Sequence, residues 1–366
     1  MTTNHRLLSL DFVRGLIMVL LAAESTLLYE HLSQLTGPAG VAAEAVKQFF
    51  HVPWRGLHFW DLIQPGFMTI AGVSLFFSTQ SRLAKGDTPR NIQQHVFIRS
   101  LKLLICGVAL HCVYAGKLVW ELWNVLSQLA FTLLFTYFVL YKSVKTQIAV
   151  SLLLIFITEL LYRFSNIPGF NQPFVPGHNF GSWADLILMG KLNSDNWVAI
   201  NFIPTTAHTI WGALIGRLLA SSALSAKKLR ILIIAGLMGL ITGYALDSWE
   251  ISPIIKRICT ASFVLTSGGW VLLLIALCYW LIDVRKAGNW ILYFMMVGMN
   301  PIFIYLFFET VGHQWLNEVV AIFTNGITAW LQVAAPVQAV LAAIATLLLE
   351  WYICYWLYQK KIFIRL

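Results

Sequence analysis

Apolar residues run along this chain in blocks of about twenty, each ended by charged or Gly- and Pro-rich punctuation. A hydrocarbon core about 30 Å thick takes about 20 apolar residues to cross as an α-helix rising 1.5 Å per residue. Blocks of that length lie near 7–29, 57–80, 97–115, 119–141, 147–164, 198–220, 230–247, 258–282, 290–310 and 337–358. An eleventh apolar stretch, 314–335, is softened by Asn317, Glu318, Asn325 and Gly326, and it spans, re-enters or lies along the interface. The pattern predicts an all-α polytopic membrane helix bundle of about ten transmembrane helices, folded as a single domain over residues 1–366 in the lipid bilayer.

Composition sharpens this. The 366 residues are 58% hydrophobic and 11% charged, which excludes a soluble globular domain, where roughly 25% are charged. The net charge of +9 would point to nucleic acid in a soluble chain. Here Lys and Arg fall in short loops, where they set topology, so no nucleic-acid partner is expected. With the N-terminus inside and ten spans, seventeen of the 25 Lys and Arg fall on inner segments, Arg6 and Arg365 among them. Seven fall outside: Lys47, Arg55, Lys117, Arg163, Lys191, Lys256 and Arg257. The positive-inside rule therefore predicts both termini in the cytoplasm, with 314–335 not fully crossing. Asp11 and Arg14 interrupt the N-terminal run that a signal peptide would keep uncharged, so it is expected to be the first retained span. The five cysteines stand singly with no CxxC, implying neither a disulfide framework nor a metal site. Both long loops, 30–56 and 165–197, then face outward, and the aromatic content of the second predicts an ordered lid.

Ionisable residues inside spans are functional candidates, since a charge near the bilayer centre costs roughly 2.5–3.5 kcal/mol. Asp11, Arg14, Arg99, Lys102 and Arg217 sort to the inner side; Glu24, Asp61, His111, Asn201, Lys256 and Glu309 to the outer; Gln128, His208 and Asn300 to mid-depth. Two readings of the inner set stand. Asp11 and Arg14, three apart, neutralise each other while the rest snorkel; or Arg14, Arg99, Lys102 and Arg217 form an anion site for a phosphate-bearing cytoplasmic ligand. The outer set is either a hydrated mouth with interhelical hydrogen bonds or a site. There His51, in a dense Trp/Gly/Asp run, can take a proton near neutrality, and Asp61 can orient its imidazole. Pro301 predicts a kink beside Asn300, and kinks line cavities; Glu309 falls on roughly the opposite azimuth.

The segments RLLSLDFVRGLIMVLL, HVPWRGLHFWDLIQPGFMTIAGVSLF, NVLSQLAFT, KRICTASFVLTSGGW, GMNPIFIYLFFE and YWLYQKKIFIRL follow one another in an order that resembles the heparan-α-glucosaminide N-acetyltransferase family and its bacterial relatives. The resemblance implies a multi-span acetyltransferase of a bacterial inner membrane. It would take acetyl from cytoplasmic acetyl-CoA, as co-substrate and with no metal, to the amino group of a glucosamine-type sugar outside. The family's active-site histidine stands in an H-x-x-W-x-G-L context before an Asp-containing helix, here His51, Trp54, Gly56, Leu57 and Asp61. Where animal members carry an active-site asparagine this chain has Glu24 and Ser25, and Gln128 replaces an expected arginine. The likeness covers the membrane core of the animal enzymes, without their large N-terminal luminal domain.

On this reading His51 is the general base, supported by Asp61, and Asn300 or the Trp54 indole donates to the oxyanion. Trp54, Glu24, Ser25 and Glu309 face the acceptor, and the four inner cations hold acetyl-CoA. Direct transfer and an acetyl-histidine intermediate both remain open, and a homodimer is the expected assembly. The alternative class is a proton-coupled sugar or glycolipid transporter or flippase with His51, Asp61 and Glu309 as its relay. Against it, no inverted repeat is visible and the charges segregate to two ends. A structural membrane protein would not need so many intramembrane charges.

Overall fold

The computed structural model of the chain describes residues 7–286 and 288–364. Arg6 and Arg365 of the inner basic set, and both chain ends, lie outside the described residues. The protein is all-α, 75% helical, and among the described residues no strand forms beyond one isolated bridge between Arg55 and Ile255.

Each predicted block contains a helix. Six helices are long and apolar enough to cross a membrane: Phe59–Ala84, Pro89–Ala115, Val144–Phe164, Ser225–Ser248, Ala261–Val284 and Ala335–Gln359. The number reaches eight if two bent pairs each make one span. The two remaining blocks differ for physical reasons. α6 (Val125–Val139) has 15 residues, about 22 Å at 1.5 Å per residue, shorter than the hydrocarbon core. α9 (Phe202–Ala220) carries Thr205, Thr206, His208 and Thr209, all buried. A helix enclosed by protein need not be apolar, because lipid never meets its side chains. Helix starts follow local capping: Thr88 accepts from Asn91 N ahead of Pro89 to open α5 (Pro89–Ala115), and Asn124 and Ser143 cap α6 and α7 (Val144–Phe164) in the same way.

The chain divides into two compact units. The first comprises Met1–His51, His58–Trp60 and Leu277–Leu366; the second, Val52–Leu57 and Asp61–Ala276.

In the second unit α9 packs on α4 (Ile63–Ala84), α6 and α7. Its crossing with α4 is so close that a Cβ on Gly72 would lie 1.9 Å from the Thr209 carbonyl oxygen, and one on Gly212 2.0 Å from that of Thr69. Small residues at such crossings replace the hydrophobic drive that lipid does not supply. Gly236, Gly239 and Gly243 set α10 (Ser225–Ser248) close to Gly269, Leu265 and Thr266 of α11 (Ala261–Cys278), a Cβ on Gly243 lying 2.1 Å from Thr266 Oγ1.

In the first unit α1 (Leu8–Ser25) packs on the segment around Leu292–Val297, and α15 (Ala335–Gln359) on Asn317–Trp330. Both bent pairs are here. α1 turns by 66° into α2 (Leu28–Thr36) through Leu27, whose φ is 60°. Asn289–Val297 turns by 64° into Pro301–Trp330. The predicted block 290–310 is therefore broken at Gly298–Asn300, where Pro301 lacks the N–H to continue the helix. Its second arm runs on through a π-helical stretch, Phe308–Leu316, into the segment expected to stand apart as 314–335. Polar Asn317 does not end that arm, because its Nδ2 donates to the Ser25 carbonyl at 2.7 Å.

Candidate functional site

In the second unit the segment Val52–Leu57 is strapped to the end of α10 and to the loop that joins it to α11. Arg55 Nε donates to Asp247 Oδ1 at 3.2 Å, and Gly56 N donates to the Ile254 carbonyl at 2.9 Å. Gly56 takes φ 127°, which side chains rarely adopt. Leu57 packs against the buried cluster that holds Ile254, Cys259 and Phe263, and the Trp54 indole donates to the Phe174 carbonyl at 2.8 Å. Each residue of the W-x-G-L run thus has a mechanical task, and together they fix the chain that follows His51.

Asp61 anchors the same strap from the other side. It is 1% exposed, its Oδ2 accepts from Val52 N at 3.4 Å, and its Oδ1 lies 3.5 Å from Lys256 Nζ, itself 5% exposed. A buried carboxylate beside a buried ammonium keeps both charges out of lipid, and removing one partner is costly. The Lys256 ammonium and the Arg257 guanidinium each sit 5.4 Å from the centre of the Trp197 ring, an aromatic face between two cations.

Two further polar clusters stand in loops of this unit. Asp185, in the short helix Phe180–Met189, accepts from Ala199 N and Trp123 Nε1, both at 2.8 Å. Burial nevertheless pushes its carboxyl up to about 6. Glu121 bonds His111 and Lys191; burial works to raise it, but those hydrogen bonds win and hold it below the usual carboxylate range. In the loop at 250–260, burial pushes the Cys259 thiol up.

In the first unit His51 is half-buried and follows Phe50, whose carbonyl meets His58 Nδ1 at 2.8 Å. Glu24 accepts from the Trp60 indole at 3.0 Å, and Tyr29 stacks on Phe49 with ring centres 4.7 Å apart. Ser25 Oγ bonds its own helix at the Ala22 carbonyl. Glu309 opens the π-helical stretch.

Asn300 is 2% exposed and its amide is engaged on the C-terminal segment. Its Nδ2 donates to the Ile362 carbonyl at 2.9 Å and its Oδ1 accepts from Ile364 N at 2.7 Å. Both functions of its amide hold the C-terminal segment against the break before Pro301. Among the inner cations, Arg14 pairs with Asp11 at 3.1 Å and Arg217 donates to the Lys142 carbonyl at 3.2 Å. Lys102 lies exposed on α5 with Ile98, Leu101 and Ile105, a face suited to lipid with a snorkelling ammonium. Arg99 is half-buried on the same helix.

Sequence sorting overlooked Glu350. It is fully buried in α15, neither of its carboxylate oxygens has a hydrogen-bond partner, and it lies against Gly312. The signal was a lone Glu in an apolar span, the rule applied elsewhere along the chain. Among the described residues no group of three or more His, Cys, Asp or Glu side chains gathers as metal ligands.

A family model described as heparan-alpha-glucosaminide N-acetyltransferase, catalytic, matches residues 6–249, more than half of the chain. The matched region holds His51 and Asp61, and it ends before Lys256 and the second bent pair. None of the curated proteins matches.

Proposed function

We propose, from the premise that this chain belongs to the heparan-alpha-glucosaminide N-acetyltransferase catalytic family and is an enzyme of acetyltransferase type, that it carries acetyl from acetyl-CoA to the amino group of a glucosamine-type sugar. The acetyl donor arrives from the cytoplasm and the acceptor from the opposite side of a bacterial inner membrane. The family assignment favours transfer over the transport alternative.

The observation that carries the reading is the strap that follows His51. Trp54, Gly56 and Leu57 are each held by partners on other segments, and Asp61 grips Val52 N. A base of this kind needs a fixed backbone more than a strong one, since proton transfer is steeply sensitive to geometry.

In the reaction His51 takes a proton from the sugar ammonium, and the freed nitrogen pair attacks the thioester carbonyl carbon. The carbonyl π pair moves to oxygen. As it returns, the C–S bond breaks and the departing CoA thiolate takes the proton held by His51 to leave as the thiol; His51 then takes the second proton from the nitrogen and releases it to water. Asp61 acts through position, by holding Val52 and pairing with Lys256.

The test is acetyl transfer from radiolabelled acetyl-CoA to glucosamine by purified protein in detergent, beside a His51→Ala variant matched for thermal unfolding. Labelled product from the parent and a loss of about 10²–10⁴-fold in the variant are the expected outcomes for a general base. Equal product from both discards His51 as the base. No product from the parent, with no thermal shift on adding CoA, overturns the reading.

A further inference from the structure

Asn201 stands at the start of α9, 1% exposed, and neither the oxygen nor the nitrogen of its side-chain amide has a hydrogen-bond partner. Leaving a buried donor or acceptor unpaired costs about 1–3 kcal/mol each. A carboxylate or an imidazole can lessen such a cost by changing protonation. A carboxamide has no such escape, so an orphaned amide carries more information than an orphaned acid.

Its neighbours place it beside the strap. Ile200 packs in one cluster with Trp54, Ile255 and Ile258, and Ile255 precedes Lys256, the partner of Asp61. On the other side Phe202 stacks on Phe131 of α6, ring centres 4.6 Å apart. One turn before Phe131, Gln128 pairs with Gln64 of α4. Asn201 therefore stands between Ile200 of the Trp54 cluster and Phe202, which packs on α6. The Asn201 carbonyl accepts from Thr205 Oγ1 at 2.8 Å, so the local backbone is satisfied and the unmet capacity is confined to the side chain.

We infer that Asn201 is a catalytic residue of the acetyl transfer, binding the tetrahedral intermediate through both functions of its amide. This rests on the acetyltransferase reading above. The side-chain N–H₂ donates to the oxygen that gains charge when the amine attacks, and the side-chain carbonyl accepts the remaining N–H of the attacking nitrogen. In the tetrahedral intermediate that oxygen and that nitrogen sit on one carbon and can face the same way. In the planar trans amide of the product, C=O and N–H point in opposite directions, so one carboxamide cannot hold both. The same amide therefore binds the intermediate better than the product, and differential binding of that kind raises kcat. The bond changes are those of direct transfer: C–N forms, C–S breaks, and the base carries the proton to the departing thiolate.

The test uses the full chain in detergent, with Asn201→Leu and Asn201→Asp beside the parent. Acetyl-CoA and glucosamine are the substrates, and thermal unfolding is recorded for each. Loss of an oxyanion donor predicts a kcat lower by about 10²–10³-fold in Asn201→Leu, with KM for both substrates within a fewfold of the parent. Its thermal midpoint should be equal or higher, because an apolar side chain leaves no orphaned groups. Asn201→Asp, which keeps an acceptor and loses the donor, should lose at least as much kcat. Parent-like kcat in a folded Asn201→Leu overturns the assignment and leaves the acetyltransferase standing. A higher KM with unchanged kcat overturns it also, since that marks uniform binding. A parent that transfers no acetyl overturns both.

Discussion

The two units bury polar groups in opposite ways. In the second, buried acids have partners: Asp61 has Lys256 and Val52 N, and Asp185 has Ala199 N and Trp123. Its orphaned atoms include those of uncharged groups such as Asn201, Thr209 and Thr266 and the Nε of Arg257, but no carboxylate oxygen among the described residues, and its helices cross closely through Gly72 and Gly212. The first unit holds both sharp bends, a π-helical stretch, and Glu350 with no partner for either oxygen. Close glycine crossings leave the backbone one arrangement, whereas bends and π turns leave carbonyls and side chains to be satisfied case by case. The second unit is thus built to hold a strap still, and the first tolerates irregularity around the segment that ends in His51.

The largest expected break of this contrast is Lys256→Met. Removing one member of a buried ion pair should cost about 3–5 kcal/mol, read as a lower thermal midpoint in detergent. Adding Asp61→Asn should recover part of that loss, and additive losses would show that the pair is not coupled. Next comes Glu350→Met in the first unit. Replacing a buried acid whose oxygens have no hydrogen-bond partner by an apolar side chain of similar size should stabilise by about 1–3 kcal/mol. A fall instead would show that the first unit also pairs its buried acids, and the contrast would fail.

The smallest effect concerns pH. Burial holds the Asp185 carboxyl at about 6 in the folded protein against 3.8 in the unfolded chain. Between those values the folded state keeps a proton that the unfolded state has released, so stability should fall as pH rises through that window and level off above it. Thermal midpoints at pH 4 to 7 should show the slope, and Asp185→Asn should flatten it. An unchanged slope would assign it to other groups.

Much of this was legible from residue order. The apolar blocks located every long helix, Pro301 marked a bend, and Asp11 with Arg14 at a spacing of three pair on one helix face. The order of short segments along the chain, RLLSLDFVRGLIMVLL and HVPWRGLHFWDLIQPGFMTIAGVSLF among them, led to the family that the match over residues 6–249 shows. Less legible were α9, where buried threonines and a histidine lower hydropathy inside a protein environment, and the arm that runs unbroken from Pro301 to Trp330. Asn300 stood at an attractive depth, yet its amide is used on Ile362 and Ile364, more than sixty residues along the chain.

Hydropathy along a line determined that the chain is all-α with six to eight helices long and apolar enough to cross a membrane, because backbone groups in lipid must be satisfied within each span. The order of several short segments along the chain pointed to its family. Only the tertiary structure decided that Asp61 pairs with Lys256, that Trp54 and Gly56 are pinned to distant loops, and that Asn201 is buried with its amide unmet. Those facts depend on which helices pack together and how closely, and the charge or polarity of a residue does not reveal which partner will reach it.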